Sequence, residues 1–177
     1  MGQPRWGRVG NILLTALLLA VPAEARPRPP RIEVPAVLQA WVVGVTDGDT
    51  VKVHAPGLPE LRVRLLGIDA PESGQDFGKV AKRVLADKVM GRELLLHTRG
   101  LDRYGRVLAK LLCDGVDVNL AMVREGLAWH YAHYASTQHS GDAALYARAE
   151  AQARAGRVGL WAYPDPVPPW EWRRKRH

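Results

Sequence analysis

A chain of 177 residues, 47% of them hydrophobic, is long enough for one domain with its own core. Its formal charge of +7 suits an anionic partner, whether nucleic acid, lipid headgroups or an acidic polymer. The single cysteine, Cys113, excludes an intrachain disulfide, and its place after Leu111-Leu112 in a strand-like run predicts a buried thiol rather than a nucleophile.

Residues 1–25 have the makeup of a secretory signal. Arg5 and Arg8 lead an apolar run from Ile12 to Val21, and Ala23-Glu24-Ala25 is a small-x-small cleavage site, with Val21-Pro22-Ala23 as a second. The run is too short to cross a bilayer comfortably. The mature form is therefore expected to begin near Arg26, to lack a membrane span, and to be secreted or periplasmic. Residues 26–36 are rich in Pro and Arg and are expected to form an extended linker.

The folded domain is expected over 37–163. Ala40 to Val45 predicts a first strand. Thr50 to His54 alternates, with Val51 and Val53 on one face. Leu61 to Ile68 also alternates, with Val63 and Leu65 on one face and Arg62, Arg64, Leu66 and Ile68 on the other. Phe77 to Met90 has apolar residues at helical spacing and Gly91 as a stop, leaving Lys79, Lys82, Arg83 and Lys88 on a wet face. Glu93 to Thr98 and Arg106 to Cys113 predict two further strands, and Asp114-Gly115 a turn. Val118 to Glu125 predicts a short helix capped by Asp117, with Gly126 beyond its end. Asp142 to Ala155 is rich in good helix formers. Five strands and three helices in this order fit a small α+β or mainly β domain. Residues 164–177 are expected to be a non-helical Pro/Trp strap, its tryptophans packed on the domain, ending in a solvated basic tail from Arg173 to Arg176.

The chemistry concentrates in two stretches. Asp47-Gly48-Asp49-Thr50 is a turn entering a strand, and Asp69-Ala70-Pro71-Glu72 ends one, because proline cannot continue a ladder. If the strands pair through the loop at Ala55–Glu60, Asp49 and Asp69 meet at one end of the sheet. Close carboxylates repel, so that meeting needs a cation or a proton. Oxygen donors favour a hard cation, Ca²⁺ or Mg²⁺. Arg64 lies just inward of Asp69, and Asp102-Arg103-Tyr104-Gly105-Arg106 supplies a second arginine.

Asp-Gly-Asp-Thr at 47–50, Arg-Leu-Leu-Gly-Ile-Asp-Ala-Pro-Glu at 64–72, Asp-Arg-Tyr-Gly-Arg at 102–106, Val-Asn at 118–119 and Gly-Leu-Ala at 126–128 resemble, in order, the motifs of the staphylococcal nuclease (thermonuclease) family. The resemblance runs from about Val42 to Trp161. It implies an OB-fold, a five-stranded barrel with about three α-helices whose open face takes nucleic acid. It implies an exported nuclease, dependent on Ca²⁺, acting on DNA and RNA with little sequence preference and leaving 3′-phosphates. By the resemblance, Asp49 and Asp69 hold the ion with the carbonyl of Ala70, where the family commonly has Thr, and Asp47 and Thr50 order its surroundings. Glu72 activates or orients the attacking water. Arg64 and Arg106 clamp the phosphate, and Tyr104 and Tyr134 line the nucleotide pocket. A further pocket tyrosine of the family falls on Ala132, with Tyr131 beside it.

Other readings stay open on the residues alone. A nucleic-acid-binding module on the same fold would not need the acids. An envelope-associated basic protein would use the tail and leave the acids unexplained. His130, His133 and His139 lack an acid or cysteine to complete a zinc set, and are expected in a polar, partly exposed segment beside the pocket. No feature calls for an obligate protein partner, and a monomer is expected.

Overall fold

The computed structural model describes residues 33–175, so the expected signal, most of the linker, and Arg176 and His177 lie outside the described residues. Strand β1 (Val37–Asp47) runs antiparallel to β2 (Thr50–His54) at one end and to β5 (Glu93–Leu101) at the other. It can serve both because its register shifts between Val42 and Gly44 and again between Val45 and Asp47, and such bulges bend a strand. β2 pairs antiparallel with β3 (Leu61–Leu65), and β5 with β6 (Val107–Cys113). A parallel pairing of β3 with β6 closes the ring in the order β3-β2-β1-β5-β6. The result is a closed five-stranded mixed barrel with helices packed on it, the OB-fold arrangement of the α+β class.

Alternation supplies the core. Ala40 and Val42, Val51 and Val53, Val63 and Leu65, Leu94 and Leu96, and Ala109 and Leu111 all point inward and are buried. Helix α1 (Gly78–Val89) adds Ala81, Leu85 and Val89, one stripe at helical spacing. Helix α2 (Val118–Arg124) follows the short β7 (Val116–Asp117), and the Asp117 side chain accepts from the Leu120 amide as the expected cap. Buried Asn119 donates to the carbonyls of Leu66 (3.0 Å) and Ala109 (3.1 Å) and accepts from the Leu111 amide (3.1 Å). A satisfied buried amide of this kind joins α2 to the barrel where β3 ends. Helix α3 (Asp142–Ala155) packs on α2 and adds Tyr146 and Ala149 to the main core, while its Ala153 joins Trp129, Leu160 and Trp161 in a second cluster. Cys113 is buried, as its setting suggested.

Two expectations need correction. Leu61 to Ile68 is not one strand. It breaks at Leu66-Gly67, where Gly67 has φ 77°, and resumes as β4 (Ile68–Asp69), which pairs with β8 (Trp129–His130). Leu66 and Ile68, expected on the outer face with the arginines, are instead buried, because the turn re-aims the chain under the helices. Nor is the C-terminal stretch wholly non-helical: Pro169–Lys175 form a fourth helix, α4. Proline fits the first helical position, where its missing N–H costs nothing, and no proline follows Pro169. The carbonyl of Pro168 accepts from the amides of Glu171 and Trp172, both at 3.0 Å. Trp170 packs edge-on to Trp129 at 6.4 Å, so the expected packing of a strap tryptophan on the domain is seen. No helix among the described residues is long and apolar enough to cross a membrane.

Candidate active site

The ends of β1, β3, β4 and β8, the β5–β6 turn and α4 enclose one groove. Asp47 opens it. Its Oδ1 accepts from the Asp49 amide at 3.1 Å, which fixes the turn. Gly48 lets that turn sit close, since a Cβ there would come within 2.7 Å of Cβ of both Ala70 and Ala81. Asp49 is then stitched to the next strands by backbone and side chain together. Its carbonyl accepts from the Leu65 amide at 2.8 Å, and its Oδ2 from the Ala70 amide at 2.7 Å. Thr50 donates its hydroxyl to Asp49 Oδ1 at 3.1 Å.

Asp49 and Asp69 meet as the sequence suggested. Nη2 of Arg64 reaches both, 3.0 Å from Asp49 Oδ2 and 2.8 Å from Asp69 Oδ1, while its Nη1 donates to the Leu65 carbonyl at 3.1 Å. Both acids are almost wholly buried, at 6% and 1% exposure. Burial pushes the Asp49 carboxyl up, to about 8, against the pull of Arg64; Asp47 and Asp69 add to the rise and the Ala70 amide opposes it. Carboxylates this close repel, and their oxygens are of the kind that suits a hard cation. Among the described residues no three His, Cys, Asp or Glu side chains converge on one point. The set that the family resemblance implies is two carboxylates and one backbone carbonyl, that of Ala70.

Glu72 follows Pro71 on a short loop that folds on itself: the Glu72 amide donates to Gln75 Oε1 at 3.2 Å, and the Gln75 amide donates back to the Glu72 carbonyl at 2.8 Å. Gly78, the first residue of α1, packs directly against that carbonyl, and a Cβ built there would run into it. Gly78→Ala should therefore force the loop aside. We expect a stability loss of about 1–3 kcal/mol, typical of overpacking against rigid backbone, and a fall in activity as Glu72 moves. Denaturant midpoints and turnover check this, and a variant as stable and active as the parent would mean that the loop position does not matter.

Arg106 enters from the β5–β6 turn. Parallel pairing places Leu108 opposite Arg64, and Arg106 stands two residues earlier, just before β6 begins, at the groove. Asp102 holds it: Arg106 Nε donates to Asp102 Oδ2 at 2.7 Å, and Oδ1 accepts from the amides of Tyr104 (2.8 Å) and Arg106 (2.9 Å). Against the upward push of burial, these amides and the guanidinium keep the Asp102 carboxyl below its usual range. Tyr104 is exposed, with Arg103 and Arg106 over its ring at 4.7 and 5.6 Å. Tyr134 is likewise exposed on the rim.

Three groove residues were not foreseen. Tyr131, left open beside Ala132, lines the groove; burial, and then the nearby Asp69, push its hydroxyl up. Trp170 stacks on Tyr131 at 5.3 Å and 20°. Arg173, expected in a solvated tail, donates Nη1 to Glu72 Oε1 at 2.7 Å and Nη2 to Asp69 Oδ2 at 2.8 Å. The one local signal was Pro-Pro before Trp-Glu-Trp-Arg-Arg, which starts a helix and repeats every three to four residues. His130 is buried rather than partly exposed, with Nε2 3.1 Å from Gln138 Oε1.

A family profile described as staphylococcal nuclease homologue matches residues 62–163. The chain is 42% identical over 142 residues to a protein of Shigella flexneri named micrococcal nuclease, covering 75% of this chain and 79% of that one. It is 39% identical over 134 residues to a Haemophilus influenzae protein named uncharacterized endonuclease, covering 76% and 72%. It is 45% identical over 115 residues to a protein of Oryza sativa named probable staphylococcal-like nuclease CAN1, covering 65% of this chain but only 33% of that longer one. With a profile match across more than half of its length and these relatives beside it, the chain belongs to the staphylococcal nuclease homologue family.

Proposed function

We propose that this protein is an exported, calcium-dependent nuclease that hydrolyses phosphodiester bonds of DNA and RNA with little sequence preference. The observation that carries the reading is the meeting of Asp49 and Asp69 on one nitrogen of Arg64, in a groove that also holds Glu72 and Arg106. Family membership and the names of the relatives support nuclease chemistry. The arginines, apolar run and small-x-small site at the N-terminus support export.

A phosphodiester is an anion that resists attack, so its cleavage needs charge neutralised, water aimed and extra negative charge stabilised. Asp49, Asp69 and the Ala70 carbonyl would hold Ca²⁺, which when bound supplies positive charge against the phosphate. Asp47 and Thr50 keep Asp49 in place through the turn and the hydroxyl bond. Arg64 and Arg106 present guanidinium charge and N–H donors to the phosphate oxygens, and the charge they meet grows as the fifth oxygen arrives. Glu72 accepts a hydrogen bond from the water, aims it, and takes the proton that is lost. The P–O5′ bond breaks, the departing O5′ takes up a proton from solvent to become the 5′-hydroxyl, and a 3′-phosphate remains, as the family resemblance implies. Tyr104 and Tyr134 offer ring faces on the rim, sequence-tolerant because every base has one.

The test is to incubate the purified protein with plasmid DNA, single-stranded DNA and RNA, with Ca²⁺ or with a chelator. All three should be cut with Ca²⁺ and spared with chelator, and end-labelling should find 3′-phosphates. Asp49→Asn and Asp69→Asn should each weaken calcium binding and cleavage together, since each removes a charge from a hard-cation site. Cleavage indifferent to chelator would refute the cation role. Retention of nucleic acid with no cleavage under any condition would make the protein a binding module.

A further inference from the structure

Helix α4 is fastened to the rim of the groove at two places. Gln75, on the Glu72 loop, donates its Nε2 to the Val167 carbonyl just before the helix. Trp170 stacks on Tyr131 and meets Trp129 edge-on. Arg173 lies three residues beyond Trp170, on the same helix face, and so is delivered into the groove. There its guanidinium spans two acids: Nη1 is 2.7 Å from Glu72 Oε1 and 3.3 Å from Asp69 Oδ1, and Nη2 is 2.8 Å from Asp69 Oδ2. Asp69 thus receives a guanidinium on each oxygen, Arg64 on Oδ1 and Arg173 on Oδ2.

A divalent cation taken by Asp69 needs an oxygen that now accepts from an arginine, and the two positive charges repel. The arginines differ in how readily they yield. Arg64 stands in a barrel strand, its side chain 12% exposed, with a further bond to the Leu65 carbonyl. Arg173 comes from a short terminal helix and its side chain is 42% exposed. We propose that Arg173 is a further residue of this site: a tethered cation that competes with the divalent ion for Asp69 and frees Glu72 when displaced. The proposal rests on the reading of Asp49 and Asp69 as cation ligands. It makes α4 a latch whose release is coupled to cation loading, and it makes Arg173 a determinant of cation affinity.

Calcium titration calorimetry on the purified protein tests this by the sign of the change. Losing a merely structural ion pair would leave affinity unchanged or weaken it; losing a competitor tightens it. Arg173→Gln is expected to bind calcium about ten-fold more tightly, the gain that corresponds to a latch closed about nine-tenths of the time. Arg173→Lys, which keeps a charge but not the fork, should fall between. Arg174→Gln removes the same charge from the same helix, at a side chain 75% exposed and paired only loosely with Glu171, and should stay within about twofold. Equal tightening in the Arg173→Gln and Arg174→Gln variants would reduce the effect to general charge and overturn the proposal. Unchanged or weaker binding in Arg173→Gln, with binding abolished in Asp69→Asn, would overturn the latch and leave the cation site standing. Calcium binding in Asp69→Asn equal to that of the parent would remove the cation reading itself, and the latch with it.

Discussion

Arg64→Lys is expected to lower turnover on the order of 10²–10³-fold, equivalent to roughly 3–4 kcal/mol of transition-state stabilisation. The side chain is held where a fork is needed. β3 sets its direction, the Leu65 carbonyl takes Nη1, and Nη2 sits between the two acids. Lysine keeps the charge that Asp49 and Asp69 require, so the fold should survive the change. What lysine cannot reproduce is a planar group that holds both acids and the Leu65 carbonyl and still has N–H donors left for a phosphate. An interaction that strengthens as charge develops lowers kcat, whereas one made equally with bound substrate changes KM. The expectation is therefore a fall in kcat with apparent nucleic-acid affinity within a few-fold. Arg106→Lys should behave alike, since Asp102 orients that guanidinium through Nε and leaves its tip toward the groove. Arg62→Ala is the control. It shares the face of β3 with Arg64 and lines the same groove, but it is exposed, so its loss should act through weaker long-range attraction. Near-full turnover in both lysine variants, or equal damage in Arg62→Ala, would sink the clamp assignment.

The meeting of the two acids was legible because it rests on local features. The hairpin between β2 and β3 brings Asp49 and Asp69, near the strand ends, to one end of the sheet, but alternation alone sets Arg64 on the face opposite Asp69, and its meeting with both acids depends on the turn at Gly67. The break at Gly67 was not legible, because Leu66 and Ile68 continue the alternation of Arg62 and Arg64. Only burial under α2 and pairing with β8 show that the chain has turned. Tyr131 was placed only beside the pocket position at Ala132, yet the following Ala132–Thr137 is a 3-10 turn, which brings neighbouring rings to one side. The helix α4 was hidden by its prolines: a breaker inside a helix is a good first residue of one. Arg173 lies far along the chain from both Asp69 and Glu72, and no local pattern can announce such a pair. In a run of basic residues each looks solvated, and which one turns inward depends on where Trp170 anchors the helix.

Glu72→Gln should cost more than either arginine change, on the order of 10²–10⁴-fold in turnover, the range of a lost proton acceptor. Glutamine has nearly the shape of glutamate and retains a carbonyl oxygen that can accept from water. Its amide cannot take the proton. The loop should keep its place, because Gln75 bonds the backbone amide and carbonyl of residue 72 and not its side chain. Calcium affinity should not weaken, since the ligands expected are Asp49, Asp69 and the Ala70 carbonyl. Glu72→Asp supplies the second arm. It retains the charge and the basicity but draws the carboxylate back by one methylene, and a misplacement of about 1 Å can by itself cost on the order of 10²-fold. Single-turnover rates on a labelled oligonucleotide at saturating calcium, with binding measured in parallel, separate the two contributions. A large loss in Glu72→Gln with a smaller one in Glu72→Asp assigns proton transfer to Glu72. Similar losses in both assign it the aiming of water. A loss below about tenfold in Glu72→Gln, set against the 10²–10⁴-fold expected, would mean that water is activated elsewhere in the groove and would leave Glu72 as the anchor of Arg173 alone.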